Sequence, residues 1–343
     1  MAEAAAIPVL ERFSGVYLYD GTVVAPPGEL KEVHPGCGGG HGKEAALKVG
    51  ARLELLGGGL RVALGAGRSH DRTLALGAAR MPEGALRLAD PGFFDLALLG
   101  SLSARGCHWL TRLMAGTALY DAQGARMDLA SLLGDLEDGE VELEVEVGAR
   151  ARLPARLLAS RVPEEVANER RRRLRKGAKQ RRQPLSEERT ALAGWTILVT
   201  DTPAGMLTIE EALTVMRARW QIEKLFDLWK RYGHLDKSRS EKPQRILSEV
   251  YAKLIGLIVG HWAILAGGWR RAGRSLVKAA RTVRRMALSM AGDLGDLRRL
   301  VRILESIARC MEAGCRVDKR RKQPGTAQQL LALTKSGEEA AIA

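Results

Sequence analysis

Cysteine is scarce in this 343-residue chain, which has only Cys37, Cys107, Cys310 and Cys315. Four dispersed thiols do not build the disulfide framework of a small secreted domain, so a reducing compartment is expected. Cys310 and Cys315 lie five apart with no other Cys or His near them in sequence. A structural zinc needs four such ligands, so none is expected there. Long apolar runs are also missing. The most apolar stretch, Leu254 to Trp269, is sixteen residues long and is interrupted by His261 and several glycines. A membrane-spanning helix needs roughly 20 apolar residues, so this stretch is expected to be a buried helix. Met1 to Pro8 has no basic leader, and no secretory signal is expected. The chain is therefore expected to be cytoplasmic, without a membrane partner and with access to DNA.

Acidic residues are the other shortage. Asp and Glu number 40 against 54 Lys and Arg, a net charge of +14. A folded protein this basic suits polyanions. Nucleic acid is the usual one and an anionic membrane surface the second, although a basic surface kept only for solubility would give the same count. The hydrophobic share of 46% and the charged share of 27% are those of an ordinary globular protein. The length allows one large domain or two moderate ones.

The first half has the texture of strands. Val16 to Tyr19 is a short β-type run ending at Asp20, and a Gly/Pro-rich loop follows from Pro26 to Gly42. Ala45 to Leu56 and Leu60 to Leu64, joined through Gly57-Gly58-Gly59, form a candidate hairpin. Leu86 to Ala89 is another apolar run and ends at Asp90, with a helix expected over Phe93 to Ala104. Val141 to Val147 reads V-E-L-E-V-E-V, the strict alternation of a strand with one buried face. Ala151 to Leu158 alternates less cleanly. Arg170 to Arg182 has nine basic residues in thirteen. Such a run is usually solvated and mobile, but it also suits phosphate contacts. Arg170, Arg171, Arg172 and Arg173 are candidate DNA contacts on that ground. Trp195 to Thr200 is a continuous β-type run, expected to be a buried strand. Thr208 and Glu211 make a capping box for a helix through about Tyr232. Further helices are expected over Lys242 to Gly267, Gly273 to Met290 and Leu294 to Glu312, followed by a basic, polar tail from Asp318.

On the helix after the capping box, Met216, Arg219, Glu223 and Lys230 project within about 60° of one another at roughly 100° per residue. Val215, Ile222, Phe226 and Trp229 fall on the adjoining apolar face. Geometry alone also allows an amphipathic helix with ordinary surface charges. Asp20 and Asp90, however, each close a short apolar run, which places two carboxylates at strand ends to face the helix-borne Glu223. Such an oxygen-only set suits hard divalent cations. Two of them, roughly 4 Å apart, would serve phosphodiester chemistry. Arg219 and Lys230, on the face of Glu223, would hold the DNA backbone.

These residues carry a resemblance. M-R-A-R-W-Q-I-E-K-L-F-D-L-W-K, Met216 to Lys230, resembles the signature of the IS-four family of bacterial insertion-sequence transposases: tyrosine, two residues, arginine, three residues, glutamate, six residues, lysine. Arg219, Glu223 and Lys230 match in spacing, as do Trp220 and Ile222, while Met216 stands at the tyrosine position. Y-L-Y-D-G-T (Tyr17 to Thr22), L-A-D-P-G-F-F (Leu88 to Phe94) and G-W-T-I-L-V-T-D-T-P (Gly194 to Pro203) are similar to the family's other motifs, in the family's order. The resemblance spans about Val16 to Pro324.

The resemblance implies an α/β fold: an RNase H-like mixed-sheet catalytic core, a β-rich insertion and a helical C-terminal part. The expected division is 1–104 and 194–317 for the core, 105–193 for the insertion with its basic run, and 318–343 for the tail. The implied activity is metal-dependent cleavage and strand transfer of insertion-sequence ends. Asp20, Asp90 and Glu223 would be the catalytic metal ligands, holding two Mg²⁺ ions that Mn²⁺ could replace. Double-stranded DNA, both transposon ends and target, would be the partner, bound by a homo-oligomer. The insertion of relatives helps to hold a flipped base or hairpin, and a tryptophan there can stack on the base; Trp109 and Trp195 are available, with Trp195 in its apolar run better suited to the core than to stacking. Only nineteen residues precede Asp20, where the family has a helical end-recognition region, so a shortened catalytic core is expected. The alternative is an inactive DNA-binding remnant that inhibits a full-length transposase. His34, His41, His70 and His108 share no face with the acids and are expected in loops or on the surface. Lys48 could touch DNA or equally serve as a salt-bridged strand lysine, and the cluster Arg316, Lys319, Arg320, Arg321 and Lys322 suits DNA contact no better than plain solvation.

Overall fold

The computed structural model describes residues 7–25, 28–36, 45–76, 80–136, 139–240, 242–267, 269, 274–317, 324–326 and 328–333. Nine strands are defined among them: β1 (Val16–Val24), β2 (Leu47–Glu54), β3 (Leu60–Ala66), β4 (Leu86–Ala89), β5 (His108–Arg112), β6 (Leu119–Tyr120), β7 (Glu140–Val147), β8 (Leu153–Arg161) and β9 (Trp195–Thr200). The α-helices are α1 (Pro8–Glu11), α2 (Leu96–Ser103), α3 (Leu129–Gly134), α4 (Glu164–Arg181), α5 (Glu187–Ala191), α6 (Ile209–Ala218), α7 (Trp220–Arg231), α8 (Pro243–Ala266), α9 (Leu276–Gly292) and α10 (Leu297–Gly314). The chain forms two compact units. The first is Met1–Arg80 with Arg217–Ala343, and the second is Met81–Met216.

In the first unit, β1, β2 and β3 form an antiparallel meander, with Asp20 opposite Ala51 and Leu53 opposite Leu60. The expected hairpin is therefore present, turning through Gly57-Gly58-Gly59. Gly58 takes φ +76, a left-handed conformation that glycine adopts without strain. β2 is buried along most of its length. At Gly50 a Cβ would stand 2.5 Å from Leu74 Cδ1 and 2.8 Å from Leu76 Cδ1, so a larger residue there would make those side chains shift. Helix α7 packs on β1 and β2 through its apolar face, burying Ile222, Leu225, Phe226 and Trp229. Phe226 and Trp229 meet edge to face at 5.6 Å, a favoured arrangement for aromatic pairs. The helices expected near the C-terminus are found within a few residues of their sequence limits. Ala263 and Ile264 of α8, Ala279 and Val283 of α9, and Ile307 and Met311 of α10 form one cluster.

Helix α8 corrects one expectation. It is 24 residues long, so by length and composition it passes for a membrane-spanning helix, yet only 28% of its apolar window is buried. Its inner face holds Ile246, Val250, Leu254 and His261, while its outer face leaves Tyr251, Ile255, Val259 and Trp262 exposed. The helix is thus buried on one side only.

In the second unit the strand order is β4-β5-β9-β8-β7-β6. β4 and β5 are parallel, and all the other pairs are antiparallel. β5, inside the span assigned to the insertion, pairs directly with β4, the strand that leads into Asp90. β7 bears out the V-E-L-E-V-E-V alternation: Val145 and Val147 are buried, and Glu142 pairs across to Arg156 at 2.6 Å. Arg156 is itself buried and also donates to the Thr202 carbonyl at 2.5 Å and the Leu207 carbonyl at 3.1 Å. A buried guanidinium persists only with its donors satisfied, and here they are.

The basic run does not form a mobile segment. Most of it lies in α4, an 18-residue helix with Glu164 and Glu165 in its first turn. Acids at the N-terminus and cations toward the C-terminus both favour the helix dipole. Glu169 pairs with Arg172 and Arg173, three and four residues on, the spacing that brings side chains together on a helix. His41 and Lys319 to Lys322 lie outside the described residues.

Candidate active site

Asp20 occupies the middle of β1, and Arg219 and Glu223 lie at and just beyond the start of α7. The expected capping box forms: Thr208 N–H donates to Glu211 Oε2 at 3.0 Å, and Glu211 N–H donates to Thr208 Oγ1 at 3.3 Å. The single helix expected after it is interrupted at Arg219, which separates α6 from α7. From that position Arg219 donates through Nη1 to Asp20 Oδ2 at 2.9 Å and through Nη2 to Glu223 Oε1 at 2.6 Å. Asp20 Oδ1 accepts from the Gly21 amide at 2.8 Å. The Asp20 and Arg219 side chains are 13% and 14% exposed, and Glu223 is 39% exposed. One guanidinium therefore sits between two carboxylates that are 203 residues apart in sequence, and its fork fits such bidentate pairing. Lys230 is half-buried on the same helix and has no hydrogen-bond or ion-pair partner among the described residues.

Asp90 belongs to the second unit and follows directly on β4. Its Oδ1 accepts from the Gly92 amide at 3.0 Å and caps the short 3-10 turn Pro91–Phe93. Two of the three expected acids, Asp20 and Glu223, are thus linked through Arg219. Among the described residues, no group of three or more His, Cys, Asp or Glu is arranged to hold a metal ion.

The candidate DNA contacts differ among themselves. Arg170 is half-buried and donates to the Trp195 carbonyl at 2.8 Å and to Thr196 Oγ1 at 3.1 Å, which ties α4 to β9. Burial, and then the like charge of Arg112, lower its pKa. Arg171 pairs with Glu164 at 2.7 Å, whereas Arg172 and Arg173 are exposed and share Glu169. Lys48 forms an ion pair with Asp71 at 3.0 Å and is occupied within the fold. Neither tryptophan is placed to stack on a base. Trp109 is fully buried and donates to Ser103 Oγ at 2.9 Å, and Trp195 is buried beneath Arg161.

Asp201 escaped the sequence analysis. It accepts from the Trp109 amide at 2.8 Å and from Ser103 Oγ at 2.5 Å, and burial pushes its carboxyl pKa up. The available signal was its position, since it closes W-T-I-L-V-T as Asp20 and Asp90 close their own runs. Met216 is buried, so an apolar side chain fills the position where the resembling family has tyrosine.

Comparison with known proteins bears on the family of the chain. Residues 11–259, a span that contains Asp20, Asp90 and Glu223, match the family model described as transposase DDE domain. The chain is 26% identical over 270 residues to the transposase for insertion sequence element IS231B of Bacillus thuringiensis subsp. berliner, covering 73% of this chain and 56% of that protein. It is 27% identical over 270 residues to the IS231C transposase of the same subspecies, covering 73% and 56%. It is 24% identical over 267 residues to the IS1151 transposase of Clostridium perfringens, covering 72% and 56%. The chain thus spans about half the length of these curated relatives. With more than half of its residues matched by the family model, and with its strands and helices in the expected mixed arrangement, the chain belongs to the transposase DDE domain family, α/β proteins with an RNase H-like core.

Proposed function

We propose that this chain is the catalytic part of an insertion-sequence transposase that cleaves DNA ends and transfers the strands with the help of divalent metal. The Asp20–Arg219–Glu223 bridge carries the proposal. It gathers a β1 acid and an α7 acid around one full positive charge, in a chain whose relatives are named as transposases. The donor chemistry suits the metal, since both carboxylates offer hard oxygen ligands, and the Arg219 guanidinium holds both of them. Asp20 and Glu223 would hold Mg²⁺, or Mn²⁺ in its place, with Asp90 as the third carboxylate and a second ion completing the pair. Such ions, when bound, supply charge stabilisation at phosphate and an activated oxygen nucleophile. The chain's own contribution is placement. Arg219 fixes the orientation of Asp20 and Glu223 and offsets their mutual repulsion, and Lys230 presents its charge to a phosphate from the same helix. The division into core (1–104, 194–317), insertion (105–193) and tail (318–343), and a cytoplasmic setting with access to the chromosome, belong to the same proposal.

A homo-oligomer on DNA is part of it. Tyr251, Ile255, Val259 and Trp262 recur at i, i+4, i+8 and i+11 along α8 and are 53%, 62%, 42% and 60% exposed. A second copy is the occupant proposed for this stripe. An antiparallel pair of α8 helices would cover roughly 1000 Å² in total, about the lower bound for stable association. Light scattering on the full chain should report a dimer, and Ile255→Lys with Trp262→Lys a monomer. A wild-type monomer at tens of micromolar would remove the oligomer from the proposal.

The main test is cleavage of a duplex carrying an insertion-sequence end in 10 mM Mg²⁺. Asp20→Asn, Asp90→Asn and Glu223→Gln should each abolish cleavage while DNA binding persists. Wild-type cleavage by the Asp90→Asn protein would refute the three-acid assignment. DNA binding by the wild type without cleavage in Mg²⁺ or Mn²⁺, together with inhibition of a longer relative, would favour the inactive-remnant alternative.

A further inference from the structure

Within the second unit lies an open groove of about 1370 Å³ that takes in none of the three acids of the active-site proposal. Pro91, the residue after Asp90, lines it, and so do Arg112, Arg126, Arg170, Arg173, Arg181 and Arg189. Three acids share the lining, Asp128, Glu187 and Glu188, so cations outnumber them two to one. Asp128 is already engaged, accepting from the Ala130 and Ser131 amides as the cap of α3. Arg126, Arg181 and Arg189 are exposed, and their side chains have no hydrogen-bond or ion-pair partner among the described residues. Arg170 is fixed to β9 within reach of the like charge of Arg112, and that neighbour helps to lower its pKa. Arginines from β5, the segment before α3, helix α4 and helix α5 thus converge on one space; Arg173 is paired with Glu169, while the side chains of Arg126, Arg181 and Arg189 keep uncompensated charges among the described residues. Such a convergence carries an electrostatic cost in the absence of a polyanion and a gain when one binds.

We infer that this groove takes the phosphate backbone of a few nucleotides of a single DNA strand, with Arg126, Arg181 and Arg189 as the principal phosphate contacts. The inference rests on the transposase proposal for the nature of the polyanion. Size selects the single strand: the groove has room for several nucleotides, whereas a duplex turn of about 10 base pairs is far larger than the space. Arginine suits the task because its planar fork pairs two donors with a phosphate. The contacts are to backbone, because no exposed aromatic side chain lines the groove to act as a stacking platform; Trp195, at its edge, is buried. Binding is therefore insensitive to base sequence.

The test uses the full chain, fluorescein-labelled dT20 and a 20-base-pair duplex, with affinity measured by anisotropy across a salt series. For single strands each phosphate contact contributes roughly 0.7 to the slope of log K against log salt. Arg126→Gln/Arg181→Gln/Arg189→Gln should therefore lower the dT20 slope by about 2 and leave the duplex slope unchanged. The control Arg298→Gln/Arg302→Gln/Arg309→Gln removes the same charge from exposed positions on α10 and should leave the dT20 slope unchanged. An equal fall in both triple variants, no fall in either, or a fall confined to the duplex would each overturn the inference. Far-UV circular dichroism checks that the variants fold. If they do not, photocrosslinking of 4-thiothymidine-substituted dT20 to the wild-type protein decides the matter: adducts within 112–130 and 173–197 support the groove, and adducts elsewhere overturn it. Failure here is distinct from failure of the transposase proposal, which is judged separately by loss of end cleavage in Glu223→Gln.

Discussion

Arg219→Ala removes the charge between Asp20 and Glu223 and leaves two carboxylates facing each other. Each pair is in close contact, 2.9 Å to Asp20 and 2.6 Å to Glu223. At an effective dielectric of about 20, a pair of unit charges near 4 Å is worth roughly 4 kcal/mol before desolvation. Two effects reduce that figure. Burying the guanidinium costs solvation, and Glu223 is 39% exposed, so water screens its share. A net loss of about 2 kcal/mol remains, less than the roughly 3–5 kcal/mol for breaking a fully buried pair because Glu223 is partly exposed. With an m-value of about 2 kcal/mol per molar urea, the unfolding midpoint should fall by roughly 1 M. The second half of the prediction has the opposite sign. A pair of uncompensated carboxylates binds a divalent cation more tightly than the neutralised pair does. For a dissociation constant near 1 mM, 10 mM Mg²⁺ would restore about 1.4 kcal/mol. Urea titrations with and without 10 mM MgCl₂, followed by tryptophan fluorescence, measure both effects. Without DNA, whose phosphates would complete the metal site, the wild type should respond weakly to Mg²⁺, Arg219→Ala strongly, and Asp20→Asn/Arg219→Ala weakly again. Equal stability of wild type and Arg219→Ala, or equal Mg²⁺ responses in all three proteins, would refute the account of Arg219 as an internal counter-charge.

Three further outcomes are expected. His261 is buried and accompanies the Gly58 carbonyl at 2.7 Å; burial lowers its pKa, and the hydrogen bond opposes this. The unfolded chain then takes up the proton first, so stability is present above the ordinary histidine range and is lost as pH falls below about 6.5. His261→Gln should flatten that part of the urea-midpoint profile between pH 7 and 5. Glu249 accepts from Lys253 at 2.7 Å, Ser238 Oγ at 2.9 Å and the Arg239 amide at 3.1 Å, which holds its pKa at about 2, with the Lys253 bond the largest cause. Its carboxylate adds stability above the unfolded value and loses it as pH falls through the folded one. After allowance for solvent screening, Glu249→Gln should cost about 1 kcal/mol at pH 7 and progressively less as pH falls from about 4.5 toward 2, a difference that paired denaturation curves would show or exclude. Thr208→Ala removes the reciprocal cap of α6 and should cost about 1 kcal/mol; hydrogen exchange at the Glu211 amide, which loses its acceptor, should quicken in step.

Several features were legible in the sequence because each is written within a few neighbouring residues. The capping box of Thr208 and Glu211, the glycine-linked hairpin of β2 and β3, the alternation of β7 and the three C-terminal helices all follow from local periodicity and turn chemistry. The strand end expected at Asp20 was misplaced: β1 continues through Val24 because its pairing with β2 extends beyond the apolar run Val16 to Tyr19, whereas Asp90 does follow directly on β4. Tertiary structure decided the rest. The exposed face of α8 was invisible because an apolar run does not say which of its sides finds a partner. Trp109 and Trp195 became core residues through strand pairing, and Arg170 became a structural tie through the carbonyl of a strand 25 residues away. Arg219 meets Asp20 across 199 positions of sequence. No window of neighbouring residues encodes so distant a contact: it exists only once α7 has buried its apolar face against β1 and β2.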